Sequence, residues 1–315
     1  MKISKALYEK LCGVWSAAPT PFNEKMQIDH DSIEKMVEHH IRIGINGLFL
    51  LGTNGEGPCL TEQQKIELVK QVVKCNKGKM AIAVQITDNS SQQMLENARK
   101  FSDTGIDIFI ISSPYFFVRP EPERIFNLYN SVLKNIHLPV GIYDRGKHSS
   151  VEIPLVVLKK LYTNGKIIII KDSSSDEARM QIALMARKKN KHLRLFNGNE
   201  FQCVRYILAG YDGLLLGGGV FNGYIASKII SAVKTGNIPE AEKLQKLMNK
   251  IMYAAYGGKK VRSWLAGEKY LLMKMGIFKT WKNLYQYTLD KQCKRSIDKI
   301  FEQYQNLLIP YRGSV

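Results

Sequence analysis

A lysine closes the run Ile167-Ile168-Ile169-Ile170-Lys171, and a tyrosine closes the apolar run Pro139–Tyr143. An ammonium at the tip of a buried strand is desolvated, which disfavours the charged form and lowers its pKa. A neutral amine is a nucleophile toward carbonyl carbon and forms an imine. A phenol beside it can shuttle protons through carbinolamine formation, dehydration and the making or breaking of a C–C bond. Both residues also have plainer uses. The lysine can run its aliphatic stem out to solvent, and the tyrosine can sit on a rim with its hydroxyl in a structural hydrogen bond.

Two glycine-rich turns add a second kind of chemistry. Gly52-Thr53-Asn54-Gly55-Glu56 presents backbone N–H groups and a hydroxyl just before a helical pattern that starts near Thr61. Such a turn suits a carboxylate, as does Gly217-Gly218-Gly219, although glycine-rich turns are common and neither is specific by itself. No cluster of His with acidic side chains has metal-ligand spacing, so metal-assisted chemistry is disfavoured.

The elements that must position these groups are legible as eight short apolar runs: Val14–Ala18, Gly47–Leu51, Ala81–Ile86, Ile106–Ile111, Pro139–Tyr143, Lys166–Ile170, Leu193–Phe196 and Gly213–Leu216. Between them lie stretches of helical period, among them Asp31–Ile43, Thr61–Cys75, Ser91–Ser102, Glu121–Ile136 and Ile153–Tyr162. Asp29 or Asp31, Thr61 with Gln64, and Ser90 or Ser91 are good helix caps. Strands apolar on both faces and separated by helices pair in parallel. The pattern predicts an α/β chain: a (β/α)8 TIM barrel over residues 1–225, and a C-terminal all-helical extension over 226–315 packed on it. An open doubly wound sheet is the alternative, but no G-x-G-x-x-G follows the first run. In a barrel the reactive groups stand just past the strands, where Thr53, Tyr143, Lys171 and the polar residues Asn199 and Glu200 all fall.

Composition narrows the setting. The chain has 315 residues, with 46 Lys and Arg against 28 Asp and Glu, a formal charge of +18. That excess raises a nucleic-acid or membrane partner. However, residues 236–315 hold 15 Lys and Arg against 6 Asp and Glu, so half the excess lies in the appended helices. No basic run interleaved with aromatics appears, and no apolar stretch approaches the ~20 residues of a membrane helix. Five scattered cysteines without a C-x-x-C pair fit a reducing compartment. The expectation is a cytoplasmic protein without nucleic-acid or membrane partners.

GVWSAAPTPF from Gly13, GTNGE at 52–56, SPYFF at 113–117, GIYD at 141–144 and IIKDSS at 169–174 stand in an order and spacing that resemble the dihydrodipicolinate synthase / N-acetylneuraminate lyase family of Schiff-base, pyruvate-using barrels. The resemblance runs from Gly13 to at least Gly223, and the C-terminal helices fit it too. It implies a class I aldolase type of lyase in which Lys171 forms the imine with pyruvate or another 2-keto acid, Tyr143 relays protons and Thr53 supports it. Backbone N–H groups around Thr53 and Asn54 would hold the carboxylate. The enamine then attacks an aldehyde, or a 4-hydroxy-2-keto acid is cleaved to pyruvate. No cofactor is implied, because the protonated imine is the electron sink, and the expected assembly is a homotetramer made of dimers.

Departures from the family pattern bear on the substrate. Asn54 replaces a Ser or Thr of the G-[ST]-T-G-E turn. Phe116 stands where the synthases carry a Tyr that enters the neighbouring subunit's proton relay. His148 occupies the place of their semialdehyde-binding Arg, with Arg145 and Lys147 nearby. Ser173, Asn199 and Glu200 match polar sugar-binding positions of the lyases, and Gly219 falls where those have a Ser. The set implies an aldolase or dehydratase for a 2-keto-3-deoxy sugar acid, with Arg145 or Lys147 meeting an anionic far end or simply being solvated. The alternatives are a 4-hydroxy-tetrahydrodipicolinate synthase, which condenses pyruvate with aspartate semialdehyde, and an N-acetylneuraminate lyase.

Overall fold

The structure, a computed structural model, describes residues 3–311. The eight runs are strands: β1 (Gly13–Ala17), β2 (Gly47–Leu50), β3 (Ala81–Gln85), β4 (Ile108–Ser112), β5 (Val140–Asp144), β6 (Ile167–Asp172), β7 (Arg194–Asn197) and β8 (Gly213–Leu216). They close in sequence order into one barrel, each pair parallel, with β8 beside β1. Alternation along each strand sorts the side chains into two cores. Trp15, Ala17, Phe49, Ala81, Ala83, Ile108, Ile110, Phe196 and Leu215 fill the barrel. Val14, Leu48, Leu50, Ile82, Val84 and their like face outward into the layer beneath the helices.

The helices of that layer are α2 (His30–Arg42), α3 (Glu62–Asn76), α4 (Ser91–Phe101), α5 (Pro122–Asn135), α6 (Leu155–Leu161), α7 (Glu177–Lys189), α8 (Cys203–Leu208) and α9 (Gly219–Lys234). Asp29 caps α2, Ser90 caps α4, and Thr61 forms a full capping box with Gln64 on α3. A further short helix, α1 (Lys5–Lys10), precedes the barrel, where the sequence assigns no element. Its Leu7, with Leu11, joins the inner core beside Trp15. After α9 come α10 (Ile238–Ala255), α11 (Trp264–Lys274) and α12 (Lys291–Leu308). The expected division at 225/226 falls inside α9, which completes the eighth barrel unit. No helix of the described residues is long and apolar enough to cross a membrane.

Candidate active site

The site is built around one irregularity between β5 and β6. Val140 pairs with Ile167 but Gly141 pairs with Ile169, so β6 carries an extra residue there. Ile168 and Ile169 consequently both join the inner core, and Tyr143 stands directly opposite Lys171. The Lys171 Nζ lies 4.4 Å from the centroid of the Tyr143 ring and 5.0 Å from that of Phe49. Both residues are buried. Burial lowers the Lys171 pKa from the ordinary lysine value, and the nearby Arg145 adds to this, against the pull of Tyr143 and Glu200. Burial alone would raise the Tyr143 phenol. The charges of Lys171 and Arg145, with hydrogen bonding to Thr53 and Ser173, instead bring it below its ordinary value. The two titrations are coupled: the charge on Lys171 favours loss of the Tyr143 proton, while burial and Arg145 favour loss of the proton on Lys171.

Glu200 reaches the same space from beyond β7. Its Oε1 accepts from the Tyr256 hydroxyl at 2.7 Å and its Oε2 from the Gly218 N–H at 2.7 Å. Burial raises its pKa, against these hydrogen bonds and the charge of Lys171. Two glycines make room beside these groups. A Cβ on Gly198 would stand 2.0 Å from Ser173 Oγ and 3.0 Å from Lys171 Cε, so any larger residue would have to push these side chains aside. A Cβ on Gly217 would stand 3.5 Å from Glu200 Oε1 and 3.7 Å from Asn54 Oδ1, in ordinary contact with two acceptors. Asn54 turns its amide nitrogen inward, to Ala17 O at 2.8 Å, Gly217 O at 3.2 Å and Glu268 Oε1 at 3.0 Å. Among the described residues, the N–H groups of Thr53, Asn54 and Gly55 donate to no protein acceptor, leaving them free to cradle an anion.

Arg145 follows Tyr143 by two residues; it hydrogen-bonds the His148 carbonyl, and its charge acts on Lys171, Tyr143 and Tyr115. Burial pushes the Tyr115 phenol up to about 12. Lys147 and His148 are exposed. Two expected residues are not brought into this cluster. The Asn199 amide donates to Ser175 Oγ at 2.8 Å while its carbonyl oxygen accepts from Phe201 N–H, so its side chain closes its own turn. Gly219 is turned against β1, where an added Cβ would meet Ser16 at 2.9 Å. The glycines beside Glu200 are Gly217 and Gly218.

The appended helices contribute residues that sequence reasoning missed. Besides Tyr256, which caps α10, consecutive residues of α11 reach the 52–56 turn: Glu268 accepts from Asn54, and Lys269 forms an ion pair with Glu56. Glu268, Lys269 and Glu56 are all fully buried. Two adjacent charged residues inside the apolar stretch Trp264–Met273 were the available signal. A second buried set stands behind the strand ends. Asp144 accepts from Arg179 at 2.8 Å, and Asp172 accepts from the Tyr211 hydroxyl at 2.8 Å, so the residue after each of Tyr143 and Lys171 anchors its strand to the helical layer. Among the described residues, no group of three or more His, Cys, Asp or Glu could hold a metal ion.

Known proteins share this arrangement of elements. The chain is 26% identical over 249 residues to a 4-hydroxy-tetrahydrodipicolinate synthase of Kosmotoga olearia, covering 78% of this chain and 83% of that one. It is 26% identical over 304 residues to an N-acetylneuraminate lyase of Shigella boydii, covering 93% of each. The solved structure of dihydrodipicolinate synthase from Bacteroides thetaiotaomicron superposes with a TM-score of 0.85 at 24% identity, over 96% of this chain and 100% of that one, and has the same fold. The family model described as the Dihydrodipicolinate synthetase family matches residues 10–302, and the chain belongs to that family.

Proposed function

We propose that this member of a family of Schiff-base aldolases and lyases uses Lys171 as its imine-forming amine, and reversibly cleaves or dehydrates a 2-keto-3-deoxy sugar acid. The observation that carries the reading is the direct pairing of Tyr143 with Lys171 inside the barrel. The neutral Lys171 amine adds to the keto carbon, Tyr143 passes protons to and from the carbinolamine oxygen with Thr53 hydrogen-bonded to it, and water leaves as the imine forms. The free N–H groups of the 52–56 turn take the substrate carboxylate. Cleavage then leaves a pyruvate enamine, with the protonated imine accepting the electron pair, and the step asks for no metal or organic cofactor.

The polar groups around this centre support a hydroxylated substrate. Glu200 stands beside Gly217 and acts on Lys171, and a carboxyl group there favours a hydroxyl over a second carboxylate. Ser173 stands by Gly198 beside the Lys171 stem, and Arg145 is the cation for an anionic far end. Asn199 and Gly219 are left with supporting roles in their turns. Phe116, at 67% exposed, and Val118 offer an apolar patch that fits a contact between copies of the chain in a homo-oligomer, a tetramer of paired dimers by family likeness. Five unpaired cysteines fit a cytoplasmic setting.

Borohydride added with pyruvate tests the chemistry. The expected result is a reduced three-carbon adduct at Lys171, absent from Lys171→Ala; an unmodified wild-type protein overturns the reading. A panel of 2-keto-3-deoxy acids, N-acetylneuraminate and aspartate semialdehyde, followed by pyruvate release or consumption, tests the substrate. The synthase and lyase relatives give the competing outcomes: consumption of pyruvate with aspartate semialdehyde assigns the synthase reaction, and release from N-acetylneuraminate assigns the lyase.

A further inference from the structure

The turn that carries Thr53 and the free N–H groups is strained and gripped from outside the barrel. Leu51 and Glu56, neither of them glycine, hold left-handed backbone at φ 60° and 57°. Such conformations persist only where surrounding contacts over-determine them, and here two neighbouring residues of α11 supply contacts to both halves of the turn. Lys269 engages the Glu56 carboxylate, donates to Lys282 O at 2.8 Å, and lies 4.6 Å from the centroid of the Phe22 ring. Glu56 also accepts from the Leu284 N–H. That fixes the end of the turn and the register of α11. Glu268, one residue earlier, then meets Asn54 in the middle of it.

The Asn54 amide has two hydrogens. Ala17 O at 2.8 Å takes one, and the other is directed to Glu268 Oε1 at 3.0 Å and shared with Gly217 O at 3.2 Å. We propose that Glu268 is a positioning residue for the 2-keto acid's carboxylate, holding the Asn54 side chain so that the N–H groups on either side of it converge on that carboxylate. The inference rests on the Schiff-base reading of the site. Burial holds the Glu268 carboxyl well above the usual carboxylate range, with Glu200 and Glu56 adding to this against the Asn54 hydrogen bond and the charge of Lys269. Glutamine has the shape of the glutamate side chain and keeps a carbonyl acceptor facing Asn54. Leucine fills similar volume with no acceptor, and aspartate withdraws the carboxyl by one methylene.

The test is the pyruvate concentration that half-saturates borohydride trapping at Lys171, measured by mass spectrometry alongside thermal unfolding. Glu268→Gln should stay within about twofold of wild type, whereas Glu268→Leu should raise the concentration by about tenfold, the order of one buried hydrogen bond, with full adduct at saturating pyruvate. Combined with Asn54→Ala, which removes the amide, Glu268→Leu should add less than about a twofold change. Glu268→Asp should shift in the direction of leucine and serves if the leucine variant does not fold. Half-saturation unchanged in Glu268→Leu or Glu268→Asp overturns the proposal, as does an equal effect of Glu268→Leu with and without Asn54, which would mark plain packing. A wild-type protein that forms no adduct at all fails one step earlier, at the Schiff-base reading, and takes the inference with it.

Discussion

Tyr143 and Lys171 face each other across β5 and β6 because β6 carries one residue more than β5 beside the Val140–Gly141 step. Counted from the outward-facing Ile167 with strict alternation, Lys171 would point out of the barrel into the helical layer. The extra residue lets Ile168 and Ile169 both enter the inner core, returns Ile170 to the outer layer and turns Lys171 inward. A β-bulge next to a site re-aims a side chain in this way at the cost of local ladder hydrogen bonding. The four isoleucines suit the arrangement, since the same side chain serves on either face.

If Tyr143 is the proton relay, its phenol matters to rate far more than to binding of the keto acid. Tyr143→Phe keeps the ring over the Lys171 amine and loses only the hydroxyl. Turnover should fall by about 10²–10⁴-fold, the usual contribution of a placed acid or base. The pyruvate adduct should still accumulate on long incubation with borohydride. Turnover within a few-fold of wild type, measured by pyruvate release, would remove Tyr143 from the relay.

The lowered pKa of Lys171 gives trapping a pH signature. Addition requires the neutral amine, whose fraction rises with pH and levels off above the folded-state pKa, which lies below the ordinary 10.5. The rate should therefore climb and reach its plateau at lower pH than an exposed lysine allows, with an apparent midpoint belonging to the coupled Lys171–Tyr143 pair. Arg145 is one cause of the lowering, after burial, and disfavours the ammonium by repulsion. Arg145→Gln should thus move the midpoint to higher pH. A midpoint that stays put or moves down in that variant would show that the guanidinium does not act on the amine.

How much of this was legible in the chain differs by layer. The barrel was, because β-rich runs alternating with helical periods leave few other architectures, and the caps Asp29, Thr61 and Ser90 form as their residue types suggest. Lys171, Tyr143, Thr53 and Glu200 share one space because strand ends converge in any such barrel. The bulge was hidden, since a run of identical isoleucines carries no alternation to break. Asn199 and Gly219 lie next to the right strands, but turn geometry points them away, and a turn's detailed path is not written in its composition. Glu268 and Lys269 were missed because their partners, Asn54 and Glu56, are more than 200 residues away in the chain.

The Glu56–Lys269 pair should dominate the stability of the contact between barrel and extension. Both side chains are fully buried, so removing one charge leaves the other unpaired in a poorly solvating interior. Lys269→Met alone should lower the unfolding free energy by about 3–5 kcal/mol, measured by denaturant titration. The double variant Glu56→Gln with Lys269→Met removes both charges of the pair and should regain a substantial part of that loss. A single variant within about 1 kcal/mol of wild type, the range of an exposed pair, would mean that water reaches the site in solution.

Gly198 gives a test of how tightly the amine itself is held. The Cβ of an alanine there would fall 2.0 Å from Ser173 Oγ and 3.0 Å from Lys171 Cε, and these two contacts have different remedies. Gly198→Ala should cost about 1–3 kcal/mol of stability through overpacking. Adding Ser173→Ala removes the hydroxyl responsible for the shorter contact, so most of that stability should return. The Lys171 contact remains in the double variant and displaces the amine from its position over the Tyr143 ring. Borohydride trapping should therefore stay slow, by about tenfold or more for a displacement that misaligns the attack, in a protein whose unfolding is nearly that of wild type. Trapping that recovers together with stability would show that Ser173, and not the seating of the lysine stem, is what requires glycine at this position.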